Sequence, residues 1–291
     1  MFEKKFSSKL ISRRSVIKSF GIFTALATVP SGLILANDKK EITISDADIF
    51  NFALNLESLE AEYYLRGTTG QGLNSSDAGD NPGTVTGGRM VPWVNTELKQ
   101  MMEEVAQNEL AHVRFYRKLL GKAAISRPTI NITGGFAGAG RAAGLGEFDP
   151  FESEMNFFLG GMLMEDVGVT AYKGAAPLIE NKKFLEAAAG ILACESYHMG
   201  MVRSTLYRMG DAARKAANAI SDARDSLDGS EDLDQGIEVD GKANIVSTDS
   251  DAICFSRTPQ QVLRIVYGTD KVGVSQGGMY PDGMNGAIKT T

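Results

Sequence analysis

Apolar positions recur at alternating steps of three and four along four long stretches of the chain. That spacing lines one face of an α-helix. The first stretch opens at Ser45, with Asp48 three residues on to complete a capping box, and runs to about residue 66. The second covers residues 93–120 and closes at Gly121; the third covers about 150–175 and the fourth about 181–209. Between them, residues 67–92 and 122–150 are rich in small, turn-forming residues and read as long loops. The second loop contains a glycine run, Gly134 to Gly140, that lacks GxGxxG spacing and a convincing preceding strand, which argues against a nucleotide site. A polar fifth helix is expected over 211–228, followed by acidic loop to about 251. Thr258, Pro259 and Gln261 then open a short apolar helix, and a glycine-rich tail spans 277–286. The pattern predicts an all-α chain: a four-helix bundle over 45–210 and a C-terminal extension over 211–291.

The stripes are interrupted in a consistent way. The second helix reads Met102, Val105, Glu109, His112, Tyr116, Leu119; the third reads Phe158, Met162, Glu165, Val169, Tyr172; the fourth reads Leu185, Ala188, Leu192, Glu195, Met199, Val202, Leu206. Each seam places a glutamate where an apolar residue is expected. A buried, unpaired carboxylate is costly, so these positions call for a cation or a hydrogen-bonding partner.

The chain has only two histidines, and each follows a glutamate by three residues, as Glu109/His112 and Glu195/His198. Residues i and i+3 share a helix face, so each pair can approach one point. Two such pairs, with one carboxylate from each of two further helices, make the dimetal site of a four-helix bundle. Glu165 is the natural donor from the third helix. In the first, Glu57 and Glu60 both lie on a candidate line, and Glu57 is preferred because it precedes Tyr64 by seven residues, as Glu165 precedes Tyr172. Glu62 points elsewhere and is expected in solvent. The expected metal ligands are Glu57, Glu109, His112, Glu165, Glu195 and His198, with Glu60 as the alternative to Glu57. Four carboxylates balance two divalent ions, and the mixed oxygen and nitrogen set suits iron, then manganese. Tyr64, Tyr116, Tyr172 and Tyr197 are either hydrogen-bonding partners of the ligands or ordinary core aromatics. Met162, Met164, Met199 and Met201 read as core. Cys194 and Cys254 read as buried or disulfide-bonded thiols rather than ligands.

Ahead of the bundle, Ser12-Arg13-Arg14-Ser15-Val16-Ile17-Lys18 and the apolar stretch from residue 20 to 36 match a twin-arginine signal peptide over residues 1–36. That stretch is short for a membrane span and is broken by Pro30 and Gly32, so no stable span is expected after cleavage. Folded export to the periplasm or beyond would follow. The chain carries 36 acidic against 30 basic residues, and six of the basic ones lie in the leader, so the remainder is distinctly acidic. Nucleic acid is not an expected partner.

The segment Asn51-Phe52-Ala53-Leu54-Asn55-Leu56-Glu57-Ser58-Leu59-Glu60-Ala61-Glu62-Tyr63-Tyr64, the two ExxH units and Glu165-Asp166-Val167-Gly168-Val169-Thr170-Ala171-Tyr172 resemble the ferritin-like superfamily. The likeness is to the branch of desiccation-related and exported bacterial proteins. Residues 255–263 and 277–286 resemble that branch's C-terminal segments. The resemblance implies a ferritin-like four-helix bundle with two metals, often iron, and O₂ or peroxide as small-molecule partners. Three functions are compatible with it: oxidation of Fe(II) or consumption of O₂ or peroxide, in which a metal pair about 3.5–4 Å apart shares bridging carboxylates; metal sequestration without turnover; or a structural role in stress or drying. A homo-oligomer fits the resemblance, although the long loops and extension are bulky for a storage cage.

Overall fold

The computed structural model describes residues 44–291. The expected leader therefore lies outside the described residues. Among these residues there are eight α-helices and four two-residue strands. Four long helices form the bundle: α1 (Asp46–Thr69), α3 (Thr96–Leu120), α5 (Glu154–Ala175) and α6 (Lys182–Arg208). The remaining helices are α2 (Ser75–Ala78), α4 (Ile132–Ala142), α7 (Asp211–Asp228) and α8 (Pro259–Tyr267). No described helix is long and apolar enough to cross a membrane.

Local chemistry sets the helix ends. Ser45 and Asp48 form the expected capping box, and Gly70 closes α1 in the left-handed region. Thr258 and Gln261 form a second capping box, with Pro259 in the first turn of α8. Two helices begin later than their sequence pattern predicts. In α3, Asn95 takes the cap, accepting from the Glu97 and Leu98 N–H groups, while the Val94 and Asn95 N–H groups donate to Glu154 of α5. In α5, Ser153 caps the helix, and Asp149 holds the preceding turn by accepting from the Phe151 N–H.

The clearest departure from the sequence expectation is α4, a helix of 11 residues built on the glycine run. Asn131 caps it by accepting from the Gly134 N–H. Glycine normally weakens a helix interior, but here it permits close approach: a Cβ on Gly135 would lie 2.1 Å from the Met279 sulfur. The C-terminal tail thus seats directly on α4, and the helix forms because tertiary contact outweighs propensity.

The two long loops are tied to each other rather than free. β1 (Val85–Thr86) pairs in parallel with β2 (Ile130–Asn131), with Val85 opposite Ile130. β3 (Glu238–Val239) and β4 (Lys242–Ala243) make a small antiparallel hairpin in the extension. α1 packs chiefly on α3, and α5 on α6. The extension is fastened by buried ion pairs. Asp166 of α5 takes Arg203 of α6 and Arg224 of α7; Asp234 takes Arg224 and Arg257; Asp228 takes Arg257. All three arginines are almost wholly buried. Arg203 also donates to the carbonyls of Gln235, Gly236, Asn244 and Ile245. The tail reaches α1, where the Tyr280 hydroxyl donates to the Asn55 carbonyl and the Asn55 side chain bonds the Asn285 backbone.

Candidate metal centre

Each bundle helix delivers its seam glutamate to one point between the four axes. Glu57 comes from α1, Glu109 and His112 from α3, Glu165 from α5, and Glu195 and His198 from α6. The four carboxylates have no exposure to solvent, and the histidines are buried. Helical spacing explains the convergence: three positions apart, Glu and His of one helix project over adjacent turns of the same face.

The Nδ1 edges of both imidazoles face inward. His112 Nδ1 lies 3.1 Å from Glu57, 3.3 Å from Glu109 and 3.5 Å from Glu195. His198 Nδ1 lies 3.0 Å from Glu109 and 3.4 Å from Glu165. Two groups result, in each of which one atom per residue lies within 4.8 Å of the others: Glu57, Glu109, His112 and Glu195; and Glu109, Glu165, Glu195 and His198. Glu109 and Glu195 belong to both. Each group therefore has one private carboxylate, one private imidazole and two shared carboxylates.

The donor set fits metal ions. Glu109 Oε1, Glu165 Oε2, both Glu195 oxygens and His198 Nδ1 are buried and complete no hydrogen bond. Polar atoms left so are expensive, and their convergence supplies the carboxylate and imidazole ligands that iron and manganese accept.

Electrostatics follow from this crowding. Burial and the Glu57 charge push Glu109 up to about 7. Burial, then Glu109 and other carboxylates, hold Glu195 and Glu60 well above the ordinary carboxylate range. For Glu57, burial acts upward, but the His112 charge and hydrogen bonding from His112 prevail and place it below its usual value. Burial acts downward on both histidines, yet the facing carboxylates (Glu57 for His112, Glu165 for His198) raise them.

Phenols orient the outer carboxylate oxygens. Tyr64 donates to Glu165 Oε1 at 2.6 Å, Tyr172 donates to Glu57 Oε1, and Tyr116 donates to Tyr172 at 2.9 Å. Tyr197 does not join them; it is 79% exposed, because its position on α6 faces away from the seam. Glu60 is buried beside the cluster but belongs to neither ligand group. Glu62, expected in solvent, is fully buried and paired with Arg66 and Arg127, which the loop after α3 brings over α1. The cysteines are free and half-buried, not bridged. Cys194 Sγ lies 3.5 Å from His198 Nε2, and contact with the two histidines lowers its thiol to about 6.

Three contributors escaped the sequence reading. Asn108 Nδ2 approaches His198 Nε2 at 3.1 Å, on the edge away from the carboxylates. Asp166 follows Glu165 in the chain and is clamped by Arg203 and Arg224, which fixes that turn of α5. Gly168 gives Glu195 its space: a Cβ there would fall 2.5 Å from Glu195 Oε2. Only its place one turn beyond Glu165 could have marked Gly168 in the sequence.

Comparison with known proteins agrees with this geometry. A family model described as ferritin-like domain matches residues 45–208. The chain is 28% identical to the ferritin-like catalase Nec2 of Nesocodon mauritianus over 277 residues, covering 86% of this chain and 87% of that protein. It is 26% identical to the desiccation-related protein PCC13-62 of Craterostigma plantagineum, covering 83% of each. No solved structure gives a significant match. The four-helix bundle, its buried glutamate and histidine cluster and the family match together show that this chain belongs to the ferritin-like domain family.

Proposed function

We propose that this protein holds two divalent metal ions, iron ahead of manganese, and uses them to consume peroxide. The observation that carries the reading is the pair of overlapping ligand groups that share Glu109 and Glu195. Glu57 and His112 would complete one ion, and Glu165 and His198 the other. Bound there, the pair would supply the electron exchange that peroxide or O₂ chemistry needs.

The chain's own residues set the stage for that chemistry. Tyr64 and Tyr172 hold the outer oxygens of Glu165 and Glu57, so each carboxylate keeps a fixed orientation. Asn108 sits against His198 Nε2 and fixes the ring edge that points away from the centre. Core residues on the seams, among them Met162, Val105 and Val202, keep bulk water from the cluster. Peroxide is favoured over Fe(II) as substrate by the relative named ferritin-like catalase. The leader motif supports export in folded form to the periplasm or beyond.

The second reading is metal binding without turnover, in stress protection, favoured by the relative named desiccation-related protein. Elemental analysis of protein purified after native export, followed by peroxide and oxygen electrode assays, separates the two. Two ions per chain with rapid peroxide loss supports the enzyme. Two ions without turnover supports the binding protein. A metal content unchanged in Glu109→Ala and Glu195→Ala variants overturns both.

A further inference from the structure

On the α1 and α5 side of the bundle, beneath the extension, lies a cavity of about 560 Å³. Its floor includes Leu56, Leu59 and Glu60 of α1 and Leu163, Val167 and Gly168 of α5. Residues of α4, α7, α8 and the tail from 277 to 281 form the other walls. A water-sized guest such as peroxide fills about 30 Å³, so the space greatly exceeds what that substrate needs. It falls within the range of small-molecule sites, roughly 300–1,000 Å³.

Most of the wall is apolar side chain and glycine, with a carboxylate at one place only, Glu60. That carboxyl is 5% exposed, faces the cavity and has no hydrogen bond or ion pair with any described residue. A buried carboxyl that lines an apolar chamber can accept a hydrogen bond from a guest held there. The chamber also adjoins the candidate metal centre. A Cβ on Gly168 would lie 2.5 Å from Glu195 Oε2 and 3.6 Å from Glu60 Oε1, so this glycine forms the thin floor between the two spaces.

We propose that this chamber binds a neutral, largely apolar organic molecule that carries a hydroxyl or amino group, with that group donating to Glu60. An anion would face Glu60 across a low-dielectric space. A cation would have to lose its hydration in a chamber whose walls also carry Arg141 and Arg224. The site places such a molecule beside Glu195, and it rests on the proposed metal function only for what happens after binding.

The probe is 1-aminoanthracene, an apolar amine whose fluorescence rises when it leaves water. It is titrated into the metal-loaded full chain. One saturable site per chain is expected. Glu60→Leu removes the acceptor while keeping the bulk, and should weaken binding about tenfold. Gly138→Leu should abolish binding, because Gly138 lines the chamber, has no positive φ, and a Cβ there meets nothing closer than 4.0 Å. Leucine also suits a helix better than glycine, so α4 should persist, which circular dichroism and melting can verify. Non-saturable binding, or affinity unchanged in Gly138→Leu, overturns the proposal. Metal content read on the same samples keeps the two ideas apart: a chain that binds the probe but takes up no iron or manganese when these are supplied defeats the metal reading alone, and metal-loaded protein that does not bind the probe defeats the chamber alone.

Discussion

The Tyr64 hydroxyl donates to Glu165 Oε1 at 2.6 Å, joining α1 to α5 across 101 residues of sequence. Both groups are wholly buried, so neither has water as a substitute partner. The other Glu165 oxygen makes no hydrogen bond, which leaves it directed at the ligand cluster. Tyr64→Phe should therefore keep the core packing while freeing the carboxylate to rotate. Metal affinity should fall about 10- to 100-fold, the usual effect of losing a group that orients a ligand. Competition with a chelator of known affinity measures it.

Gly168→Ala should separate folding from metal binding. Within a helix, alanine is favoured over glycine by about 1 kcal/mol, and the helix around position 168 is regular. The new methyl would nevertheless fall 2.5 Å from Glu195 Oε2, an atom at the end of a side chain that must then swing aside. The metal-free variant should melt at or above the wild-type temperature, while metal content drops. A variant that loads metal normally would show that Glu195 is not held where the cluster needs it.

How much of this was legible beforehand depends on the range of the interaction. The seam glutamates and the ExxH units are local patterns, and they locate the cluster because helical periodicity carries a residue's facing direction. Glu62 reads as solvated in the sequence because its partner Arg127 lies 65 residues away and arrives on a loop. The helix α4 is not legible locally because its glycines oppose helix formation; contact with the distant Met279, and with Phe148 just past the helix end, explains them. The cysteines were expected to be buried or bridged on the strength of an exported setting; in the fold they are half-buried and separate. Asp166 beside Glu165 could not be distinguished from a surface acid until α7 brought Arg224 to it.

Removing Arg257 should unfasten the extension. Its guanidinium is buried and bonds Asp228, Asp234 and the Thr170 hydroxyl together. Arg257→Met preserves much of the volume but leaves two carboxylates facing one another with a partner lost. Breaking a buried pair from one side costs about 3–5 kcal/mol. Urea unfolding should show a loss of that size, smaller when Asp228 is neutralised in the same chain, because part of the penalty lies in the stranded charge. An effect under about 1 kcal/mol, the size typical of exposed ion pairs, would mean that solvent reaches this network.

The leader reading makes its own prediction. Changing Arg13 and Arg14 together to lysine keeps the charge but removes the arginine pair. In a host with a working twin-arginine system, the variant should accumulate uncleaved in the cytoplasm, seen by fractionation and mass spectrometry. Normal delivery and processing of the double variant would assign residues 1–36 to another route.

The strongest test of the cluster is the pH dependence of stability with and without metal. In the metal-free chain burial and the Glu57 charge raise Glu109 from 4.5 to about 7, and burial with the neighbouring carboxylates holds Glu60 and Glu195 well above the ordinary carboxylate range. As pH climbs past 4.5, the unfolded chain releases these protons while the folded chain retains them. The folded state then binds more protons, so its stability falls with rising pH, by about 1.4 kcal/mol per pH unit for each proton retained. His112 and His198 act in the same direction above 6.5, because their facing carboxylates keep them protonated in the fold. Glu57 opposes the trend only below its ordinary value, since it is lowered and contributes stability that is lost in acid. Metal-free protein should therefore melt at lower temperature at pH 8 than at pH 5. Divalent ions take the place of the retained protons, and binding to the folded state alone adds stability that grows as the ligands become easier to deprotonate. The metal-loaded chain should melt well above the chelator-treated one, with the gap widening toward pH 8. Equal melting curves across that range would show that these glutamates and histidines are not a metal cluster, and the proposed function would fall with them.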